Sequence, residues 1–233
     1  MGTSYGPNIV IDGLVFYIDP FNPRCYSGSG NTLIDLSGNG YHASKTTGLS
    51  VSGGWLDWGS SANGEFLSIP KEALHGLSTW TIEFALYITS ITNGINTLIS
   101  CGENAGNQFM WYLPDHTQWY VNNTASISLP FVTSTATNFL MTAKGSGGLG
   151  GTTYVFKNAE LVGLNVSNNT AINVTGTFAE IVLGQEYDND ATGGFDNNQS
   201  WLGKMGTVRF YNRELSSAEI RQNYGAHRTR YGL

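Results

Sequence analysis

STWTIEFALYIT, residues 78–89, decides how this chain is read. Trp80, Ile82, Phe84, Leu86 and Ile88 recur at every second position. An extended backbone therefore puts all five on one face, the period of a strand lying on a core. The same grammar repeats outward in both directions. GLVFYID (13–19) and NTLIS (96–100) are compact apolar runs, and QFMWYL (108–113), TQWYV (117–121) and NFLMTAK (138–144) follow. TTYVFKN (152–158), AEIVLG (179–184) and GKMGTVRFYN (203–212) complete the set. Each run is bounded by Gly, Asn, Asp or Pro, residues that supply turns. KGSGGLGGTT (144–153) reads as a hairpin connection. Many short strands with almost no helical signal predict an all-β fold, an antiparallel two-sheet sandwich.

One helix is expected, late in the chain. In NRELSSAEIRQNYG (212–225), Ser216 is a candidate N-cap, and Glu219, three residues on, completes a capping box. Leu215 and Ile220 are placed to form the accompanying hydrophobic staple, and Gly225 is expected to end the helix after about two to three turns. Arg209, Arg213, Arg221, Arg228 and Arg230 gather around it and read as a solvated helix face with a charged tail.

Composition narrows the function classes. Of 233 residues only 12% are charged, about half the ~25% usual for soluble proteins. Polarity is carried instead by 30 glycines and many Asn, Ser and Thr. The net charge is −6 and no basic stripe is present, which argues against nucleic acid and anionic membrane as partners. The apolar run near the N-terminus is too short and interrupted for a signal peptide or a membrane span. The two cysteines, Cys25 and Cys101, form no metal or redox motif, and reduced thiols are expected over a disulfide. The four histidines are scattered, with no nucleophile motif beside them.

The segment LGQEYDNDATGGFDNNQSWLG, 183–203, attracts a site hypothesis. From Glu180, just ahead of it, to Asp196 stand five of the chain's 17 acids, Glu180, Glu186, Asp188, Asp190 and Asp196, with no Lys or Arg among them. Acids so crowded repel one another unless a cation or water intervenes. Carboxylates, amides and carbonyls on a glycine-containing loop are the oxygen donors that hard cations take. The segment reads either as a calcium site or as an acidic structural loop.

The order of elements resembles the concanavalin A-like lectin/glucanase superfamily, in its laminin G-like and pentraxin-like branch. The likeness is carried by GLVFYIDPFNPRCYSGSGNTLIDLSGNGYHA, by EFLSIP and STWTIEFALYI, and above all by WLGKMGTVRFYNRELSSAEIRQNY. It implies a jelly roll, with a single domain over 1–233, a core at about 9–226 and terminal arms at 1–8 and 227–233. The opening segment and the closing QNYGAHRTRYGL also resemble lectin-like structural proteins of phage virions. That likeness implies a virion location, with virion structural proteins or copies of itself as partners and surface polysaccharide as a further one.

Residues 184–200 are similar to a pentraxin calcium loop. The resemblance implies Glu186, Asp188, Asp196 and Gln199 as ligands, with the Tyr187 carbonyl. The loop is about one residue longer around Asp190-Ala191-Thr192, and the family's Asp-Asn pair falls at Gly106-Asn107, which leaves only Asn107 to serve. Sugar binding, the other function expected of the fold, needs an aromatic platform. Trp111, Trp119, Tyr120 and Trp201 are candidates, against the alternative that they pack in the sheets. Trp55 and Trp58 fall three apart on a strand, so one is expected buried and the other partly exposed.

A glycosidase needs two carboxyls about 5–5.5 Å apart, or wider for inversion. The Glu-x-Asp-x-x-Glu signature of glucanases on this fold does not occur, so no enzyme is expected. The reading is a non-catalytic phage virion structural protein, a capsid decoration or tail-associated module. A free-standing calcium-dependent lectin is the alternative, and a glycoside hydrolase a weaker one.

Overall fold

A computed structural model describes residues 7–59, 64–89, 96–101, 109–112, 116–121, 129–130, 137–146, 152–166, 171–174, 180–189, 194–195 and 199–233. At 109–112, 116–121, 129–130, 137, 165–166 and 188–189 the backbone alone is described.

The early strands are β1 (Leu14–Ile18), β2 (Thr32–Leu33), β3 (Ala43–Lys45), β4 (Ser50–Ser52), β5 (Trp55–Asp57) and β6 (Leu67–Pro70). There follow β7 (Thr79–Ile88), β8 (Thr97–Cys101), β9 (Phe109–Tyr112), β10 (His116–Val121), β11 (Leu129–Pro130) and β12 (Thr137–Ser146). The last are β13 (Thr152–Lys157), β14 (Glu160–Val166), β15 (Glu180–Leu183), β16 (Tyr187–Asn189), β17 (Gly194–Phe195) and β18 (Gly203–Tyr211), then helix α1 (Ser217–Tyr231). The first sheet runs β14-β13-β12-β7-β18-β5-β4, with β1 also paired to β18. The second runs β11-β10-β9-β8-β15-β6-β3-β2, and β16-β17 is a small separate ribbon. All pairings are antiparallel, as expected of a two-sheet sandwich.

β7 shows how the sequence pattern becomes a layer. Trp80, Ile82, Phe84, Leu86 and Ile88 all enter the inter-sheet core, where they meet Phe16, Met205 and Phe210 from the first sheet and Ile69, Ile99 and Ile181 from the second. The alternate residues Thr81, Glu83 and Ala85 are buried too, because α1 lies over that outer face. Only Tyr87 is part-exposed among the outer residues of this strand's second half.

The capping box forms: the Ser216 hydroxyl accepts from Glu219 N–H, and the Glu219 carboxylate accepts from Ser216 N–H at 2.8 Å. Leu215 and Ile220 are fully buried in one cluster with Tyr211 and Phe156, the expected staple. The helix runs further than expected. Gly225 lies inside it, and it stops only at Gly232, whose φ is 65°. Tertiary packing overrides the glycine, since His227 and Tyr231 are both buried beneath the last two turns. Residues 227–231 are therefore helix and not an arm. At the other end, Asn8 O accepts from Gln222, while residues 1–6 lie outside the described set.

The arginine cluster is not uniformly solvated either. Arg209 is fully buried, its Nε donating to Glu83 at 2.9 Å. Arg213 pairs with Glu219 and Asp12, and Arg230 with Asp19. Glu83 also accepts from Asn223 at 2.7 Å and from Thr142 at 3.1 Å, while Arg209 donates to His227 Nε2. Burial, then the charges of Arg209 and Arg230, hold the His227 imidazole down to about 2, so its ring is neutral in the fold.

Cys25 and Cys101 are both free and buried. Cys25 accepts from Asp19 N–H at 3.3 Å, and burial pushes its thiol up to about 12. Burial likewise raises Cys101. No helix among the described residues is long and apolar enough to cross a membrane.

Candidate functional site

The 183–203 segment begins at a tightly built root. Gly184 has φ +83, and a Cβ there would sit 2.2 Å from the Trp58 indole. Its N–H donates to Leu98 O and its carbonyl accepts from Trp201 N–H at 2.9 Å, so the two ends of the segment are stapled. Gln185, fully buried, donates to the Ser200 hydroxyl at 3.0 Å, and Ser100 donates to Gln185 O and accepts from Tyr187 N–H. β16 and β17 then pair, with Tyr187 opposite Phe195. The Phe195 ring stacks on Phe66 at 4.4 Å and meets the Tyr187 ring edge-on at 5.0 Å. Gly194, at φ +76, makes room for the Tyr187 ring.

Of the expected calcium ligands, Glu186 is buried and Gln199 part-buried at the two sides of this root. The backbone of Asp188 lies in β16, one residue from Tyr187. The Asp188 side chain, Asp196 and Asn107 lie outside the described residues. Oxygen donors on a glycine-turned ribbon fit a hard cation chemically. Among the described residues, no three His, Cys, Asp or Glu come together as a metal group.

The expected aromatic platform separates. Trp201 does not serve: it is 1% exposed and packs in the inter-sheet core, where its ring fills space between the sheets. Trp111 and Trp119 are direct cross-strand partners on β9 and β10, and Trp111 is also opposite Ile99. Tyr120 is opposite Met110. The side chains of these three lie outside the described residues. Trp58 is buried and Trp55 part-exposed, the division expected from their spacing.

Trp55 belongs to a cleft that the sequence did not suggest. On the outer face of the first sheet, α1 ends before the strands do. Asn138, Tyr87, Lys204 and Asp57 are consecutive register partners across β12, β7, β18 and β5. Beside this row the last helical turn supplies Thr229, Arg230, Tyr231 and Gly232, which with Trp55 line an open cleft of about 500 Å³.

Each part is fixed from behind. The Tyr231 ring covers Gly206, where a Cβ would clash at 2.5 Å, and its hydroxyl accepts from Thr207 N–H at 2.9 Å. That N–H is free to do so because the β18 register shifts between Met205 and Val208. Trp55 meets the Tyr231 ring edge-on at 4.7 Å. Lys204 pairs with Asp57 at 2.9 Å, its ammonium 5.9 Å from the Tyr87 ring centre. Arg230 pairs with Asp19 and lies 5.1 Å over the exposed ring of Phe21. Rings and cations thus alternate along one rim. No single stretch of sequence carries that signal, because the contributing residues come from five separated segments.

Comparison with known proteins places these features in context. The family model described as the concanavalin A-like lectin/glucanases superfamily matches residues 61–221. No curated protein matches the sequence. Among solved structures, one of botulinum neurotoxin type C, described as depending on two ganglioside molecules, is similar at 14% identity and a TM-score of 0.67, covering 92% of this chain and 51% of that one. The binding domain of Paraclostridial Mosquitocidal Protein 1 is similar at 16% identity and a TM-score of 0.67, with 93% and 53% covered. A Trypanosoma rangeli sialidase with sialic acid is similar at 12% identity and a TM-score of 0.63, covering 94% of this chain and 33% of that one. The chain therefore spans about half the length of the toxin structures and a third of the sialidase.

Proposed function

This chain belongs to the concanavalin A-like lectin/glucanase superfamily, and on that premise we propose that it is a non-catalytic lectin-like module of a phage virion, packing against virion proteins or copies of itself and adhering to surface glycan. The observation that carries the packing role is β14. Among the described residues it is one edge of the first sheet, and it exposes Leu161, Val162 and Leu164 at 52%, 40% and 54%. An edge strand offers unpaired backbone donors and acceptors, and soluble proteins guard such edges with lysine, proline or cover. β14, ELVGLNV, has Glu160 as its sole charge and no proline. Its bulge at Val162, which pairs with neither Val155 nor Phe156, bends the strand without covering its side chains. Apolar side chains on an open edge suit a neighbour that continues the sheet.

Glycan adhesion is supported by the fold and by the neighbours' described ligands, gangliosides and sialic acid. The test is co-purification with a phage particle, together with light scattering of the isolated protein. Particles carrying the chain, and loss of its association on Leu161→Glu with Leu164→Glu, are expected. A strict monomer that is missing from every particle sinks the virion role.

A calcium-dependent lectin is the second reading, favoured by the stapled root that holds buried Glu186 beside the β16-β17 ribbon. Calcium, held by Glu186, Asp188, Asp196 and Gln199, would neutralise the crowded acids and order the ribbon. Calorimetric titration of calcium into chelator-treated protein tests it. Binding heat and a rise in melting temperature are expected on that reading, and neither on the other.

A further inference from the structure

The geometry points to the cleft at the C-terminal end of α1 as a binding site for an acidic saccharide, a sugar bearing a carboxylate; this rests on the glycan-adhesion reading above and gives it a location and a ligand class. The two part-exposed rings, Trp55 on β5 and Tyr87 on β7, are separated by the single strand β18. Two strand spacings of about 4.8 Å, with Trp55 two residues further along β5 than the row of Tyr87, put them roughly 12 Å apart, the reach of two sugar rings. An open cleft of about 500 Å³ has room for a ligand of that size. The C–H face of a pyranose covers an aromatic ring with little loss of hydration, and the edge-on contact with Tyr231 already fixes the Trp55 ring.

The charges choose among sugars. Among the described residues lining the cleft are two cations, Lys204 and Arg230, with Asp57 beside Lys204 at 2.9 Å. For Arg230 the counter-ion stands behind: its side chain is 36% exposed against 3% for Asp19, whereas Asp57, 24% exposed, shares the surface with Lys204. The ion pairs hold both cations in place, and each remains about one-third exposed at the cleft. A helix C-terminus would ordinarily repel an anion. Here its last carbonyls are answered by protein donors. Asn138 Nδ2 donates to Tyr231 O at 2.7 Å, and the N–H groups of Gly232 and Leu233 donate to Arg228 O. A sugar carboxylate paired with Lys204, with its ring on Trp55 and Arg230 at the helix side of the cleft, meets charge and shape together.

Calorimetry and saturation-transfer NMR with 3′-sialyllactose and tri-galacturonate, against lactose as the neutral probe, test this. At least one acidic probe is expected to bind and lactose to bind at least about tenfold more weakly. Lys204→Gln and Trp55→Ala are each expected to weaken the acidic probe about tenfold or more, since each removes a charged hydrogen bond or a platform. Glu72→Gln, on the exposed turn after β6, should change nothing. Lys204→Gln changes no buried group, so it reads the site even if Trp55→Ala fails to fold. Unchanged binding in Lys204→Gln overturns the site and leaves glycan adhesion standing. Binding of lactose as tight as the acidic probes overturns the ligand class. A protein that binds no saccharide at all, on these probes and on a glycan array, overturns the adhesion reading with it.

Discussion

Glu83→Gln should destabilise the protein by about 3–5 kcal/mol, measured by urea unfolding, although it removes no volume and touches no surface. Glu83 and Arg209 are both fully buried under α1. The change leaves the Arg209 guanidinium charged, dehydrated and without its carboxylate. The loss spreads because the same carboxylate receives Asn223 of the helix and Thr142 of β12, and Asn223 in turn accepts from Val10 N–H at 2.8 Å. Replacing both partners with apolar residues, Glu83→Leu with Arg209→Met, is expected to cost less than Glu83→Gln alone, because no charge is then stranded. A double substitution as damaging as the single one would show that shape, and not charge, holds the helix down.

The same network sets an acid limit. The folded His227 value is about 2 against 6.5 for the free side chain, so between those values the unfolded chain binds the extra proton. Stability contributed by the neutral ring is thus complete above about pH 6.5 and falls as the pH drops, by up to about 1.4 kcal/mol per pH unit.

Gly184→Ala is the second large effect. The residue sits at φ +83, which costs an alanine about 1–2 kcal/mol. The new methyl would also lie 2.2 Å from the Trp58 ring, whose Nε1 is tied to Glu65 O at 2.8 Å and so has little freedom to retreat. Overpacking of this kind adds about 1–3 kcal/mol. The fall in unfolding midpoint should be matched by a change in Trp58 fluorescence. Gly76→Ala is the comparison: its φ is +81 with nothing within 4 Å of the added methyl, so it isolates the backbone part. Equal losses at the two positions would remove the steric argument.

Much of the sandwich was legible because β-period is a local property. The alternation of 78–89 needs no partner to be seen, and the capping box of α1 lies within four residues. β14 was less visible: the bulge at Val162 breaks its alternation, and its apolar residues face outward. The length of α1 was misread for a tertiary reason, since the sheet rewards His227 and Tyr231 more than Gly225 penalises the helix. The Glu83–Arg209 pair joins residues 126 apart. Nothing local marks either as buried, so Arg209 looked like one more surface charge. Trp201 shows the reverse error, a tryptophan beside an acidic loop that belongs to the core. The outer-face cleft was illegible because strand register and the point where a helix stops, both properties of the assembled fold, bring its residues together.

β18 is the last strand in sequence and lies in the middle of its sheet. One side pairs with β7 on both sides of the register shift at Met205–Val208, and the other is shared between β5 near its start and β1 near its end. The sheet cannot be completed in the order in which it is synthesised. Until residues 203–211 leave the ribosome, the sides of β7, β5 and β1 that face β18 lack their partner, and Tyr87 has no Lys204 beside it. Pairings spanning nearly two hundred residues make folding slow, on the millisecond-to-second scale of high-contact-order domains. During that interval the nascent chain depends on its short, glycine-punctuated strands, and on whatever chaperones meet it, to avoid pairing with another copy.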